Sequence, residues 1–228
     1  MPLRDDRLLD ITILLGTGTP EWPGDTPYDC RWTSAVAQGA SVNLSSITMS
    51  PHVGTHADAP LHVRDEWPAA DALPLHPFAG PCRVVDVSGH QGTIAYEQLA
   101  LPERGHLPRL LLKTGCTIAS HAFPRTWPVL ATDCVDALLR RGLLLLGVDA
   151  PSVDARESTS LDVHHRLFAG GAYILENLAL SAIAPGEYDL LALPMRLAGL
   201  DAAPVRAALR PLTPDRTPSL DAAMAGSA

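Results

Sequence analysis

Residues 132–148 read Thr132-Asp133-Cys134-Val135-Asp136-Ala137-Leu138-Leu139-Arg140-Arg141-Gly142-Leu143-Leu144-Leu145-Leu146-Gly147-Val148. The first part predicts a short helix. Thr132 is placed to cap its N-terminus, Asp133 and Asp136 lie in its first turns, Arg140 and Arg141 in its last, and Gly142 where a helix ends in a left-handed residue. The second part, Leu143 to Val148, is an apolar run of the kind that forms a buried strand, and so is Arg109 to Thr114 ahead of the helix. Strand, helix and strand in succession point to an α/β domain. Further strands are expected at Leu8 to Leu15, Val42 to Met49, Arg83 to Ser88 and Glu187 to Leu193. A second short helix is expected at His164 to Ala169, stopped by Gly170-Gly171, and a helical turn at Pro204 to Leu209. Residues 1–210 then form one domain with more strands than helices, and residues 211–228, without apolar periodicity, are expected to be a disordered tail.

The chain has 228 residues, 46% hydrophobic and 18% charged, a globular composition able to bury one sizeable core unaided by disulfides or a structural metal. Its 25 acidic and 17 basic residues give a net charge of −8. No basic stripe is present to neutralise phosphates, which argues against a nucleic-acid partner, and no basic amphipathic helix points to a membrane surface. No apolar run approaches the ~20 residues of a membrane span, and the N-terminus lacks a signal-peptide layout. Cys30, Cys82, Cys116 and Cys134 form no C-x-x-C pair and are expected as reduced, mostly buried thiols of a cytoplasmic protein.

The segment richest in chemistry is Ser50-Pro51-His52-Val53-Gly54-Thr55-His56-Ala57-Asp58-Ala59-Pro60-Leu61-His62. Imidazole and carboxylate together are ligands suited to zinc and its neighbours. Pro51, Gly54 and Pro60 argue against a helix, so the relevant period is that of extended chain, in which alternate side chains share a face. His56 and Asp58 can share a metal with little distortion. A fully extended run from His52 to His62 would span roughly 33 Å, too long for one centre. The chain must bend, and Gly54 and Pro60 are where it can. His62 is the best placed of the four to act as a general acid or base beside the metal. The plainer alternative is a hydrogen-bonded turn with incidental histidines.

A second group follows: Asp149 after the expected strand, Asp162-Val163-His164-His165, and Ile174-Leu175-Glu176-Asn177. Glu176 ends an apolar strand, where a carboxylate must be ligated or paired, and Arg196 is as good a partner as a metal. By pattern His164 and His165 read as a solvated helix start and Asp149 as a loop cap. Trp22, flanked by Pro23-Gly24, either closes over an aromatic ligand or covers the edge of the core. Gly16-Thr17-Gly18 lacks the third glycine of a dinucleotide fingerprint, and no Gly-x-Ser-x-Gly elbow supports a serine hydrolase.

His52-Val53-Gly54-Thr55-His56-Ala57-Asp58-Ala59-Pro60-Leu61-His62 resembles the H-x-G-T-H-x-D-x-P-x-H signature of the metal-dependent cyclase-like hydrolases. Trp22-Pro23-Gly24-Asp25-Thr26-Pro27, the blocks around Asp149, His164 and Glu176, and Leu197-Ala198-Gly199-Leu200-Asp201 extend the resemblance over residues 8–210, closest to the bacterial kynurenine formamidase branch. The resemblance implies a single compact α/β domain of the swivelling β/β/α type, with a mixed, barrel-like sheet and flanking helices. It implies a homodimer with two zinc ions per subunit and hydrolysis of N-formyl-L-kynurenine to L-kynurenine and formate. His52, His56 and Asp58 would ligate the first zinc, Asp58 and His164 the second, and Glu176 would bridge both. His62 would be the proton donor and acceptor, and Trp22 would contact the substrate. Ala150 stands where a threonine is expected and Asn177 where a glycine is common. Sister activities, such as opening the lactam of isatin, and a non-catalytic metal-stabilised module are the alternatives.

Overall fold

Leu110, Leu111 and Leu112 are each buried to 3% exposure or less, which a strand achieves only when both its faces are covered. The computed structural model describes residues 8–103 and 105–212 and shows how that cover is built. In chain order the strands are β1 (Leu9–Asp10), β2 (Asp29–Ser34), β3 (Leu44–Thr48), β4 (His56–Asp58), β5 (Ala79–Asp86), β6 (Thr93–Ile94), β7 (Arg109–Lys113), β8 (Val129–Leu130), β9 (Leu145–Val148), β10 (Tyr173–Glu176), β11 (Gly186–Leu191), β12 (Ala202–Pro204) and β13 (Ala208–Pro211). The α-helices are α1 (Thr132–Arg140) and α2 (Asp162–Ala169).

Nine strands form one mixed sheet in the order β1-β13-β11-β5-β7-β9-β10-β4-β12. Its centre, β5-β7-β9-β10, is parallel, and the strands on either side are antiparallel. Strand alternation divides the apolar residues between two cores. Leu110, Leu112, Leu146, Val148 and Ile174 meet Val135 and Leu138 of α1 and Val163 and Leu167 of α2. Leu111, Leu145 and Leu175 point the other way and pack with Val84, Leu190 and Leu209.

The sheet curls. β12 and β13 lie near opposite ends of the strand order. The four residue steps from Pro204 to Ala208 can span at most roughly 14 Å, so the two ends must approach one another. Ala57 of β4 and Leu209 of β13 accordingly belong to one apolar cluster. The segment after β1 closes the gap: Ile11 N donates to the Ala207 carbonyl and its own carbonyl accepts from Ala179 N. The expected fold class, a mixed barrel-like sheet with flanking helices, is therefore observed.

Local expectations fared unevenly. α1 occupies the predicted helix, but its N-cap is Ala131 with no side-chain bond, and Thr132 is the first helical residue. Gly142 is left-handed as expected, with φ +79°. The strand predicted at Leu8 to Leu15 is in register only at Leu9–Asp10 and as a single bridge at Thr12, because the Asp10 carboxylate turns back to accept from Thr12 N. The helical turn predicted at Pro204 to Leu209 is overturned. Ala202 and Ala203 are buried against β4, and pairing with it and with β11 outweighs any local helical preference. β2 was not expected, its residues being mostly polar. β13 ends at Pro211, and residues 213–228 of the expected tail lie outside the described residues.

Gly147 lies where β7, β9 and the chain after β10 come closest. A Cβ there would stand 2.5 Å from Leu111 Cδ2 and 2.8 Å from Leu178 Cδ1, both on fully buried side chains. Gly147→Ala is expected to destabilise the protein by about 1–3 kcal/mol through overpacking, measured as a lower urea midpoint at unchanged m-value.

Candidate metal centre

The two middle strands of the site set its geometry. β4 pairs antiparallel with β10, with Glu176 directly opposite His56, so their side chains leave the same face. Asp58, two residues along β4, shares that face. Gly54, at φ +72°, bends the chain just before β4, and a Cβ there would meet Leu15 Cδ2 at 2.4 Å. The bend returns His52 to β4, placing its Nδ1 3.1 Å from His56 Nε2. Thr55 pins the bend: its hydroxyl donates to the Asn177 carbonyl at 2.6 Å and accepts from Ile13 N at 2.9 Å. His164 arrives from the first turn of α2.

The donors converge as two clusters sharing Asp58. In one, His52 Nδ1 lies 3.1 Å and His56 Nε2 3.2 Å from Asp58 Oδ1. In the other, His164 Nε2 lies 3.4 Å from Asp58 Oδ2 and 3.5 Å from Glu176 Oε1. Glu176 Oε2 turns toward His56 Nε2, also at 3.5 Å. Metal–ligand bonds of ~2.0–2.2 Å in a tetrahedron separate their ligands by roughly 3.3–3.5 Å, close to the spacings seen here. Both Asp58 oxygens and His164 Nε2 are buried without a hydrogen-bond partner, so the short contacts have the distance of hydrogen bonds but not their direction. Lone pairs aimed at a common point fit a cation at each cluster.

The imidazoles are held in the tautomers that such a cation requires. His56 Nδ1 donates to the Gly54 carbonyl at 2.9 Å, leaving Nε2 to face Asp58. Asp154 Oδ2 accepts from His164 Nδ1 at 2.7 Å and from His164 N at 3.1 Å, while Oδ1 accepts from Val163 N. Asp154 thus serves α2 in place of an N-cap, since Leu161 at that position has no side-chain bond. Asp201 Oδ2 lies 2.9 Å from His52 Nε2. Without a metal these carboxylates bind protons on the imidazoles. Burial pulls His52 down, but Asp201 and Asp58 push it up to about 9. Burial likewise opposes protonation of His56, and Asp58 and Glu176 push it up to about 10. Burial alone would raise the Asp58 carboxyl, but His56, His164 and His52 hold it well below the usual carboxylate range.

His62 ends a 3-10 turn, Pro60–His62, outside the two clusters that share Asp58 and in a third, more open group with His52 and Asp201. Its ring centroid is 4.4 Å from that of His52 and 5.7 Å from that of His164. A cavity of about 470 Å³ opens on Trp22, His52, His62, His164 and Glu176. Trp22 is 38% exposed and packs edge-on against Phe123, with centroids 5.4 Å apart. All seven residues singled out from the sequence thus meet at one place. Arg196 does not pair with Glu176; its Nε donates to the Asp71 carbonyl at 3.3 Å. Asp149 caps the loop after β7, accepting from Thr114 N at 2.7 Å. His165 lies beside Trp67, ring centroids 6.0 Å apart, away from the donors. Asn177 is left-handed at φ +55°, a conformation asparagine tolerates and glycine prefers. Sequence reading missed Asp154, whose contact with His164 needs the loop ahead of α2 to fold back on the helix start, and gave Asp201 no role, because it reaches His52 and His62 from a distant stretch of chain.

The Cyclase family model matches residues 9–155, well over half the chain. The chain belongs to that family. It is 42% identical over 206 residues to the kynurenine formamidase of Bordetella petrii, covering 90% of this chain and 99% of that protein. A "potential metal-dependent hydrolase with cyclase activity" superposes with a TM-score of 0.77 at 28% identity, over 91% of this chain and 99% of the other. Isatin hydrolase A from Ralstonia solanacearum shares the fold, with a TM-score of 0.75 at 20% identity over 89% and 91% of the two chains. The fold described above is thus that of a Cyclase-family chain.

The raised imidazoles fix the sign of the pH dependence of metal binding. Protons held up to about 9 and about 10 on His52 and His56 must leave as a cation enters. Zinc affinity is therefore expected to strengthen by more than about tenfold per pH unit between about pH 7 and 9, read by competition with a chromophoric chelator. An affinity flat across that window would contradict the assignment of these imidazoles as ligands.

Proposed function

We propose that this chain hydrolyses the formamide of N-formyl-L-kynurenine, releasing L-kynurenine and formate. One observation carries the proposal: His52, His164 and Glu176, drawn from the two donor clusters that share Asp58, line a cavity of about 470 Å³ together with His62, Trp22 and Phe123. The 42% identity to the Bordetella petrii kynurenine formamidase supports the choice of substrate. Zinc is the metal we assign, at two ions per subunit, because mixed imidazole and carboxylate donors suit it. His52, His56 and Asp58 would hold one ion, Asp58 and His164 the other, with Glu176 between them. When bound, the metal supplies Lewis acidity, acidifying water and polarising the formyl oxygen. With Glu176 between them, the first ion would have four protein donors and the second three, Asp58, His164 and Glu176, and three is the count of a catalytic zinc site with an open position, which disfavours a non-catalytic module.

The protein's own residues bind the substrate and manage the proton. Trp22 and Phe123 form an apolar wall for the aminophenyl ring, and the small formyl group reaches the buried donors. As a water oxygen bonds to the formyl carbon and the C–N bond breaks, the aryl nitrogen needs a proton. His62 lines the cavity, is 30% exposed in its side chain and belongs to neither cluster, so it can give that proton and recover one from solvent. A homodimer and a cytoplasmic location complete the proposal. Four free thiols support a reducing compartment. No helix among the described residues is long and apolar enough to cross a membrane.

Zinc-loaded protein is expected to release kynurenine from N-formyl-L-kynurenine, to stop when chelated and to resume when zinc is returned. Bound zinc without turnover, or faster opening of isatin, would discard the substrate and favour a sister amide or lactam hydrolase. His62→Ala is expected to keep its zinc and lose about 10²–10⁴-fold in kcat, measured with metal analysis on the same sample. Trp22→Ala is expected to raise KM more than it lowers kcat. Equal effects on both would move Trp22 from ring binding to the chemistry.

A further inference from the structure

Among the described residues, Asp201 is the carboxylate that touches both His52, of the donor clusters, and His62, outside the two that share Asp58. Its Oδ2 lies 2.9 Å from His52 Nε2 and 3.3 Å from His62 Nδ1. The backbone holds it there. The Asp201 carbonyl accepts from Ala59 N at 2.8 Å, and the next residue, Ala202, pairs with Asp58 across β12 and β4. The loop before it is tied down as well, with the Asp71 carboxylate accepting from Gly199 N at 3.0 Å. The position of Asp201 is therefore set by the strand that carries the metal donors.

We propose that Asp201 is a positioning residue that fixes the tautomers of His52 and His62 together, and so couples the metal site to the proton donor. The inference rests on the functional reading above. A carboxylate can only accept, so each facing nitrogen must carry its hydrogen. With Nε2 of His52 protonated, Nδ1 keeps its lone pair and faces His56 and Asp58, as a ligand must. With Nδ1 of His62 protonated, Nε2 is the nitrogen left to exchange a proton with the substrate. One oxygen thus selects a ligand tautomer on one ring and a catalytic tautomer on the other. An alanine here does neither, because it leaves both rings without their shared acceptor.

The test is Asp201→Ala, alone and combined with His62→Ala, on the full chain, with zinc affinity, kcat and KM measured separately. Zinc affinity is expected to fall by about 10–100-fold, and kcat at saturating zinc by a similar factor with KM within about twofold. In the His62→Ala background, Asp201→Ala is expected to leave kcat within about twofold while still weakening zinc, because no second ring remains to be positioned. Three results overturn the proposal: single-variant kcat and zinc affinity close to those of the unaltered protein; the same loss of kcat with and without His62; or a third zinc equivalent that Asp201→Ala abolishes, which would make His52, His62 and Asp201 a ligand group. Unaltered protein that holds zinc but does not cleave N-formyl-L-kynurenine would sink the substrate assignment instead. The zinc measurement would still decide whether Asp201 governs His52.

Discussion

Asp58 and Glu176 are buried almost completely on adjacent strands, and two carboxylates placed so repel each other unless positive charge lies between them. That constraint organises the centre of the molecule. His52, His56 and His164 crowd the same space, and each has a second acceptor at its far nitrogen: Asp201, the Gly54 carbonyl and Asp154 respectively. Protons satisfy the arrangement when no metal is present, which is why the imidazoles titrate so high. A divalent cation would satisfy it better, because it would supply bonding partners to the Asp58 oxygens and His164 Nε2, which hydrogen bonds leave alone.

The fold serves this burial. The parallel centre of the sheet, covered on one face by α1 and α2 and on the other by the curl of the sheet itself, makes a rigid dry floor. The carboxylates stand at the edge of that floor, where β10 gives way to the antiparallel β4 and β12. Function is concentrated where the strand direction reverses, because there the loops on either side can reach over the strand ends. Trp22, His62 and the segment from Ser152 to Asp154 come from such loops. The result is a site with buried donors beneath and a half-open aromatic wall above, suited to a small reacting group on a larger aromatic body.

Much of this was legible along the chain. The apolar runs at Arg109 to Thr114 and Leu143 to Val148 became β7 and β9, because strands buried on both faces must be continuously apolar. The helix after Thr132 formed where its charges and Gly142 placed it. Gly54 and Pro60 bend the chain between His52 and His62, as the reach of an extended segment required. What failed locally failed where tertiary pairing overrode propensity, as at Pro204 to Leu209, or where a polar strand carried no apolar signal, as at β2.

The sequence by itself determined the ligand types, the bends between them and the apolar strands that carry them, since these depend on side-chain chemistry and on chain reach over a few residues. His56 and Asp58 share a face simply because they lie two apart on a strand. Only the tertiary structure decided that Glu176 stands opposite His56, that Asp154 caps α2 while orienting His164, and that Asp201 faces two histidines at once. Each of these is a pairing across many residues. Strand register and the curl of the sheet bring such partners together, and both are set by the packing of the whole core, which no local pattern encodes.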